Sequence, residues 1–455
     1  MSNSRQFFGT DGIRGKANVH PLTPDFVVRL GQAVAEIFLA QRGDDGEQPH
    51  VVIGKDTRQS GDMLESAIAE GFNSRGVHVS LAGVIPTPAV AMLTRDERAI
   101  LGVVISASHN PFEDNGIKFF GPDGFKLGDE VELAIEQRVL SPEPFEEVTT
   151  MGRTSVLEDA EDRYVAFVRD GSGRDPALLE GLTIALDNAN GASYRTSEAI
   201  LRSLGANVLP FHREPNGINI NDDCGCTHPD VIGDLVRESG ADVGVSHDGD
   251  ADRVLLCDET GSVLDGDEIM AIAAVAMMED GSLKDNTLVA TIMSNAGLDE
   301  AVAAAGGNVV RAGVGDRYVL EEMRKNGFNL GGEQSGHFIF LDQNTTGDGI
   351  VSAVQLLKQM RKAGKPLSEL RKVLTKFPQA QRNVRVERKP ALTETSTHER
   401  VTEIESTLGS SGRILLRYSG TEPLLRILIE GREEQQINVW ADELAESFAR
   451  ELGNS

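Results

Sequence analysis

Blocks of apolar and polar residues recur three times along this chain in one order: a β-rich run, a polar turn, an amphipathic stretch, a glycine, and a second apolar run. The first repeat reads His50-Val51-Val52-Ile53-Gly54-Lys55-Asp56, then a helix around Met63 to Phe72, then Gly76-Val77-His78-Val79. The second reads Leu182-Thr183-Ile184-Ala185-Leu186-Asp187-Asn188, a helix around Ser197 to Leu204, and Gly205-Ala206-Asn207-Val208-Leu209. The third reads Thr287-Leu288-Val289-Ala290-Thr291, a helix around Leu298 to Ala305, and Gly306-Gly307-Asn308-Val309-Val310. Each predicts a parallel βαβ unit. The expected fold class is therefore α/β, with three tandem α/β domains holding mixed sheets, in preference to a single continuous sheet.

After Leu370 the pattern changes. Asn383 to Arg388 alternates as a strand, Arg413 to Arg417 and Leu424 to Glu430 read as two more strands around a loop, and Glu433 to Leu452 reads as a helix. Trp440, Leu444, Phe448 and Leu452 recur every four residues there and form a core stripe. A smaller α+β domain thus closes the chain. Ser141-Pro142-Glu143-Pro144 marks a first linker and Asp258-Glu259-Thr260-Gly261 a second join. The expected domains are residues 1–152, 153–256, 257–370 and 371–455, a count in keeping with a length of 455 residues.

Composition narrows the partners. A net charge of -27 argues against nucleic acid and against an anionic membrane surface. An anionic small substrate would then need a local basic pocket, so the arginines inside motifs carry the information. Cys224, Cys226 and Cys257 do not make a disulfide framework. Cys224, Cys226 and His228 alternate as metal ligands could, but with no fourth ligand in view an ordinary loop is the better reading. The start of the chain has no signal-peptide pattern, and the longest apolar run, Ile269 to Met278, is too short to span a bilayer. A soluble cytoplasmic protein is expected.

The richest chemistry lies in Asp248-Gly249-Asp250-Ala251-Asp252-Arg253. In an extended segment residues i, i+2 and i+4 point to one side, and Gly249 and Ala251 leave room for a fold-back. Three carboxylates that close repel one another unless a cation sits among them. Oxygen-only ligands favour a hard ion, and Mg2+ is expected. The rival is a calcium loop, since Glu259 falls at the twelfth position, but Arg253 stands where an EF-hand needs glycine.

Ser106-Ala107-Ser108-His109-Asn110-Pro111 follows the apolar strand Leu101 to Val104, at the end where α/β domains hold ligands. A serine beside a histidine invites a hydrolase reading, yet sequence neighbours rarely reach nucleophile and base geometry, and the nucleophile-elbow glycines are absent. Arg417-Tyr418-Ser419-Gly420-Thr421-Glu422-Pro423, with Arg426 beyond, offers hydroxyls, freed amides and two guanidinium forks to a phosphate. Gly332-Glu333-Gln334-Ser335-Gly336-His337 offers groups suited to sugar hydroxyls, and Phe8-Gly9-Thr10-Asp11-Gly12-Ile13-Arg14-Gly15 is a glycine-punctuated turn with one cation. There is no Walker A sequence, and Gly313-Val314-Gly315 lacks the third glycine of a dinucleotide fingerprint, so nucleotide binding is unsupported.

In this order and one per domain, these motifs resemble the α-D-phosphohexomutase superfamily over essentially the whole chain, joined by Asn115-Gly116-Ile117-Lys118 and Thr345-Thr346-Gly347-Asp348-Gly349. The resemblance implies four domains around a central active-site cleft, with Ser108 phosphorylated in the resting enzyme. One Mg2+ per chain would be held by Ser108, Asp248, Asp250 and Asp252. Arg14 and Arg253 would neutralise charge, and His109, Lys118 and His337 are the candidates for proton transfer; Lys118 could act as base only if nearby cations depress its pKa. The substrate implied is a small phosphosugar, glucosamine 6-phosphate, with mannose or glucose phosphates as the alternative. Glu333 and Ser335 would take its hydroxyls, and Arg417, Ser419, Gly420, Thr421 and Arg426 its phosphate. A hexose 1,6-bisphosphate is the expected activator, a mobile segment from about residue 371 would let that intermediate turn, and a homodimer is compatible. The alternative of another class is a Mg2+-dependent sugar phosphatase. Two departures from the family pattern are Cys226, where serine is usual, and His247, where phenylalanine is common.

Overall fold

The structure is a computed structural model that describes residues 5–9, 11–42, 48–419 and 422–453. The chain divides into two compact units, Met1–Met293 with Gly306–Lys372, and Ser294–Ala305 with Val373–Ser455. The first unit contains three mixed sheets and the second one antiparallel sheet, which is the expected α/β architecture with an α+β end.

The first sheet orders its seven strands Phe8–Gly9, Gly12–Lys16, Asp114–Phe120, Leu101–Ile105, His50–Lys55, His78–Val84 and Thr154–Val156. Its centre is parallel, because the βαβ crossovers return on the same side, while Asp114–Phe120 folds back antiparallel on Leu101–Ile105. Strands buried on both faces need near-continuous apolar runs, and Leu101 to Ile105 is buried throughout. Helices Pro24–Gln41 and Gly61–Asn73 cross on a pair of glycines. A Cβ on Gly71 would stand 2.3 Å from the carbonyl oxygen of Val28, and one on Gly31 2.7 Å from that of Ile68.

The second sheet runs Val263–Leu264, Val254–Cys257, Val243–His247, Thr183–Asp187, Asn207–Phe211, and the third Asn308–Ala312, Thr287–Thr291, Leu330–Gly332, Phe338–Phe340. In both, the expected strand pair is parallel; antiparallel pairing is added at one side, through Val254–Cys257 and Val263–Leu264 in the second sheet and Phe338–Phe340 in the third. The chain leaves three of these strands directly into site loops: Leu101–Ile105 leads to Ser108, Val243–His247 to Asp248, and Leu330–Gly332 to Glu333.

The C-terminal unit orders its strands Gln379–Arg385, Leu424–Gly431, Gly412–Tyr418, with helices His398–Leu408 and Glu434–Leu452 packed on them. Leu444, Phe448 and Leu452 are buried in its core and Trp440 packs at the edge, as the four-residue stripe requires. The first strand starts four residues before the expected Asn383, because the ladder with Leu424–Gly431 already pairs Gln379 with Glu430.

One helix changes company. Gly297–Ala304, the crossover of the third repeat, belongs to the C-terminal unit rather than to the sheet whose strands it connects. Asn295 exchanges side-chain hydrogen bonds with both backbone groups of Phe377, and a Cβ on Gly297 would stand 2.2 Å from the Thr375 carbonyl oxygen.

Candidate active site

Ser108 occupies a strained position for a residue with a side chain. Its φ of 53° is left-handed, and the surroundings hold it there. The Ser108 amide donates to Ser106 Oγ (2.9 Å), and Ser106 Oγ donates to Asp56 Oδ2 (2.6 Å). Arg58, fully buried, pairs with Asp56 at 2.9 Å and donates Nη2 to the carbonyl oxygens of Ser108 and Asn110, both 2.8 Å. Asn221 Nδ2 donates to the same two carbonyls. The turn so fixed directs Ser108 Oγ to Asp248 Oδ2, 2.6 Å away, with His109 Nδ1 at 3.2 Å.

The three aspartates do converge, but not on an extended strand. Residues 248–253 form the tight connection between the antiparallel strands Val243–His247 and Val254–Cys257. Ala251 is left-handed with φ 58°, and its amide donates to the Asp248 carbonyl at 3.1 Å. The fold-back rather than strand alternation brings carboxylate oxygens of Asp248, Asp250 and Asp252 within 4.8 Å of one another. Thr87 Oγ1 and Lys118 Nζ each donate to Asp250 Oδ2, at 2.7 and 2.8 Å. Asp250 Oδ1 and Asp252 Oδ1 are buried with no hydrogen-bond partner among the described residues. Buried carboxylate oxygens without donors are what a divalent cation satisfies, so the donor set fits a hard ion. Burial, and then repulsion from Asp252 and Asp250, pushes the Asp248 carboxyl well above the usual carboxylate range.

Cations ring the triplet. Lys118 is almost wholly buried between Asp250 and Asp11, at 2.8 and 2.9 Å. Burial opposes its charge, but Asp11, Asp250 and Asp252 outweigh it and raise its pKa. The condition for Lys118 as base is therefore not met, because its neighbours are carboxylates rather than cations. His109 goes the other way: burial, reinforced by Arg253 and Arg14, lowers it to about 4 and keeps the ring neutral. Burial also opposes charge on His337, yet Asp252 and Asp316 raise it.

A cavity of about 360 Å³ opens over these groups, lined by Asp11, Arg14, His109, Asp252, Arg253, Asp316, Glu333 and His337 among others. Ser335 lies exposed on the turn after Glu333. Arg417 and Arg426 stand directly opposite each other across the antiparallel ladder of the C-terminal unit. Lys389 Nζ donates to the nearby carbonyl oxygens of Ser419 and Glu422. Like charges facing each other on a ladder are unfavourable without an anion between them. Gly420 and Thr421 lie outside the described residues.

Several of these residues escaped the sequence reading. Asp56 and Arg58 directly follow strand His50–Lys55, and the strand-end rule that found Ser108 would have found them. Asn221, Thr87 and Asp316 had no local signal. Cys224 does not join Cys226 and His228; its sulfur lies near Asp187 and His212. The Asp187 carboxylate already accepts from the Ala189 and Gly225 amides and contacts His212 Nδ1 at 3.0 Å.

Family models for the phosphoglucomutase/phosphomannomutase alpha/beta/alpha domains I, II and III match residues 5–144, 162–261 and 265–377, and that for the C-terminal domain matches 357–447. A phosphoglucosamine mutase of Pelobacter propionicus is 51% identical over 457 residues, covering 99% of both chains. The chain belongs to the phosphoglucosamine mutase family. It is thus a phosphohexomutase, an isomerase. Another member of this family, from Bdellovibrio bacteriovorus, is 48% identical over 99% of this chain and 100% of its own. The fold is shared with a phosphoglucomutase/phosphomannomutase family protein of Burkholderia thailandensis (TM-score 0.80, 21% identity, covering 98% of this chain and 97% of that one). It is also shared with Aspergillus fumigatus N-acetylphosphoglucosamine mutase, solved with GlcNAc-6P and magnesium (TM-score 0.66, 17% identity, 98% and 96% covered). No helix among the described residues is long and apolar enough to cross a membrane.

Proposed function

We propose that the protein interconverts glucosamine 6-phosphate and glucosamine 1-phosphate through a phosphorylated Ser108, supplying the precursor of UDP-N-acetylglucosamine in the cytoplasm. The observation that carries this reading is the 2.6 Å contact of Ser108 Oγ with Asp248, beside buried carboxylate oxygens that lack donors. Ser108, Asp248, Asp250 and Asp252 would hold one Mg2+, which when bound neutralises phosphoryl oxygens and polarises the phosphorus.

The 1-hydroxyl oxygen of the sugar gives up its proton and bonds to the phosphorus of phosphoserine, the bond from phosphorus to Oγ breaks and Oγ takes up a proton, and glucosamine 1,6-bisphosphate and free serine result. Arg14 and Arg253, both on the cavity wall, balance the charge of the transferring group. Lys118 stays a cation and holds Asp250 and Asp11 in place. His109 Nδ1, neutral and 3.2 Å from Oγ, is placed to manage the proton at the serine end. The bisphosphate then turns and returns its other phosphate to Ser108, so a trace of hexose 1,6-bisphosphate activates the enzyme. Glu333 and Ser335 bind sugar hydroxyls, while Arg417, Ser419, Gly420, Thr421 and Arg426 hold the phosphate that is not transferred.

The test is kcat/KM for the 1-phosphates of glucosamine, mannose and glucose, with Mg2+ and the matching bisphosphate. Preference for glucosamine 1-phosphate is expected. Preference for mannose or glucose 1-phosphate would replace the substrate, and net release of inorganic phosphate would replace isomerisation by hydrolysis.

A further inference from the structure

An amino-sugar substrate brings a cation into a cavity whose other cargo is anionic, so some carboxylate must be reserved for it. We propose that Asp316 is that group: it receives the 2-ammonium of the substrate while Glu333 receives the neighbouring 3-hydroxyl, which makes Asp316 the residue that selects an amino sugar. This inference rests on the substrate reading above and deepens it.

Four carboxylates line the cavity: Asp11, Asp252, Asp316 and Glu333. Asp11 is consumed by Arg14, Lys118 and Lys126, and Asp252 belongs to the metal triplet. Asp316 and Glu333 remain, and they are neighbours. The Gly315 amide donates to Glu333 Oε1 at 3.0 Å, and Gly315 leads directly into Asp316. Adjacent carboxylates suit adjacent substituents of a pyranose ring. Asp316 Oδ2 accepts from Lys126 Nζ at 2.5 Å and faces His337 Nε2 at 3.5 Å, and the residue is half-buried on the cavity wall, which leaves Oδ1 for a ligand. Their electrostatics differ in direction as well: burial opposes ionisation of both, but Lys126 and His337 lower the Asp316 pKa, while burial leaves that of Glu333 raised. A glucose 2-hydroxyl can still hydrogen-bond to Asp316, so discrimination comes from charge.

The test compares kcat/KM on glucosamine 1-phosphate and glucose 1-phosphate for the wild type, Asp316→Asn and Asp316→Glu. Losing a charge-assisted bond should lower Asp316→Asn activity on the amino sugar about 10- to 100-fold, with a much smaller change on glucose 1-phosphate. Asp316→Glu, which keeps the charge, should retain the amino-sugar preference. Equal losses on both sugars in Asp316→Asn would overturn the inference in favour of mere support of Lys126 and His337. A wild-type preference that survives Asp316→Asn would sink this inference alone; a wild type with no such preference would sink the substrate reading and this inference together.

Discussion

Arg58 holds Ser108 by its main chain: its Nη2 lies 2.8 Å from the Ser108 carbonyl oxygen, while its Nε donates to Asp56, and both side chains are fully buried. The residue proposed to carry the phosphoryl group therefore has its backbone set by a fully buried cation. Removing one partner of such a pair leaves an uncompensated buried charge. Arg58→Met is expected to lose about 3–5 kcal/mol of stability, read from urea unfolding midpoints. A variant within experimental error of the wild type would show that the pair does not hold the turn.

Ser108→Ala should behave in the opposite way. The hydroxyl contributes one hydrogen bond to Asp248 and little packing, so stability should change by no more than about 1 kcal/mol. Turnover should fall below detection, and no phosphopeptide covering residue 108 should form on incubation with hexose bisphosphate. Isomerase activity remaining in Ser108→Ala, with a purified and folded sample, would remove the phosphoserine from the mechanism.

The difference between these two residues is also the difference between what the sequence discloses and what it hides. Ser108, the aspartate triplet and Glu333 stand in contiguous motifs at strand ends, so order along the chain and the apolar runs before them were enough. The mixed sheets follow from the same runs. Arg58 and Asn221 act on the Ser108 turn from 50 and 113 residues away, and no local pattern tells which strand ends meet. The helix Gly297–Ala304 makes the same point: its apolar face was legible, but which body covers that face was not. The triplet's conformation was misread because three alternate carboxylates look alike on a strand and on a tight turn, until Ala251 is seen to be left-handed.

Metal removal should act on stability as well as on activity. Asp248, Asp250 and Asp252 repel one another in a buried site, and a ligand that binds only the folded state stabilises it by mass action, about 2.7 kcal/mol at a hundredfold excess over Kd. Mg2+ should raise the melting temperature of EDTA-treated protein with a logarithmic dependence on concentration. In Asp252→Asn that dependence should weaken or vanish. A melting curve indifferent to Mg2+ in the wild type would argue against the triplet as the ion's seat.

His212 gives a pH signature away from the triplet. Its hydrogen bond to Asp187 raises its pKa above the ordinary value of 6.5, although burial works against this. The folded state thus binds the proton more tightly than the unfolded state. The stabilisation is fully present below pH 6.5 and is lost as pH rises through the folded pKa. Urea midpoints should decline from pH 6 to pH 8 more steeply in the wild type than in His212→Gln. Parallel slopes for the two proteins would mean that the Asp187 contact does not discriminate between the imidazole's charge states.

The facing pair Arg417 and Arg426 separates a binding role from a structural one. Each guanidinium burdens the other, and the Arg417 pKa is lowered first by burial and then by Arg426. In a ladder position, exchanging one for a neutral residue removes a repulsion, so Arg426→Ala should melt no lower than the wild type once its bond to Glu422 is discounted as a surface pair worth about 0–1 kcal/mol. If the pair exists to grip phosphate, the same substitution should raise KM for the sugar phosphate about 10- to 100-fold, the loss of one charge-assisted contact. A lowered melting temperature with unchanged KM would invert the assignment and make Arg426 a strut of the sheet.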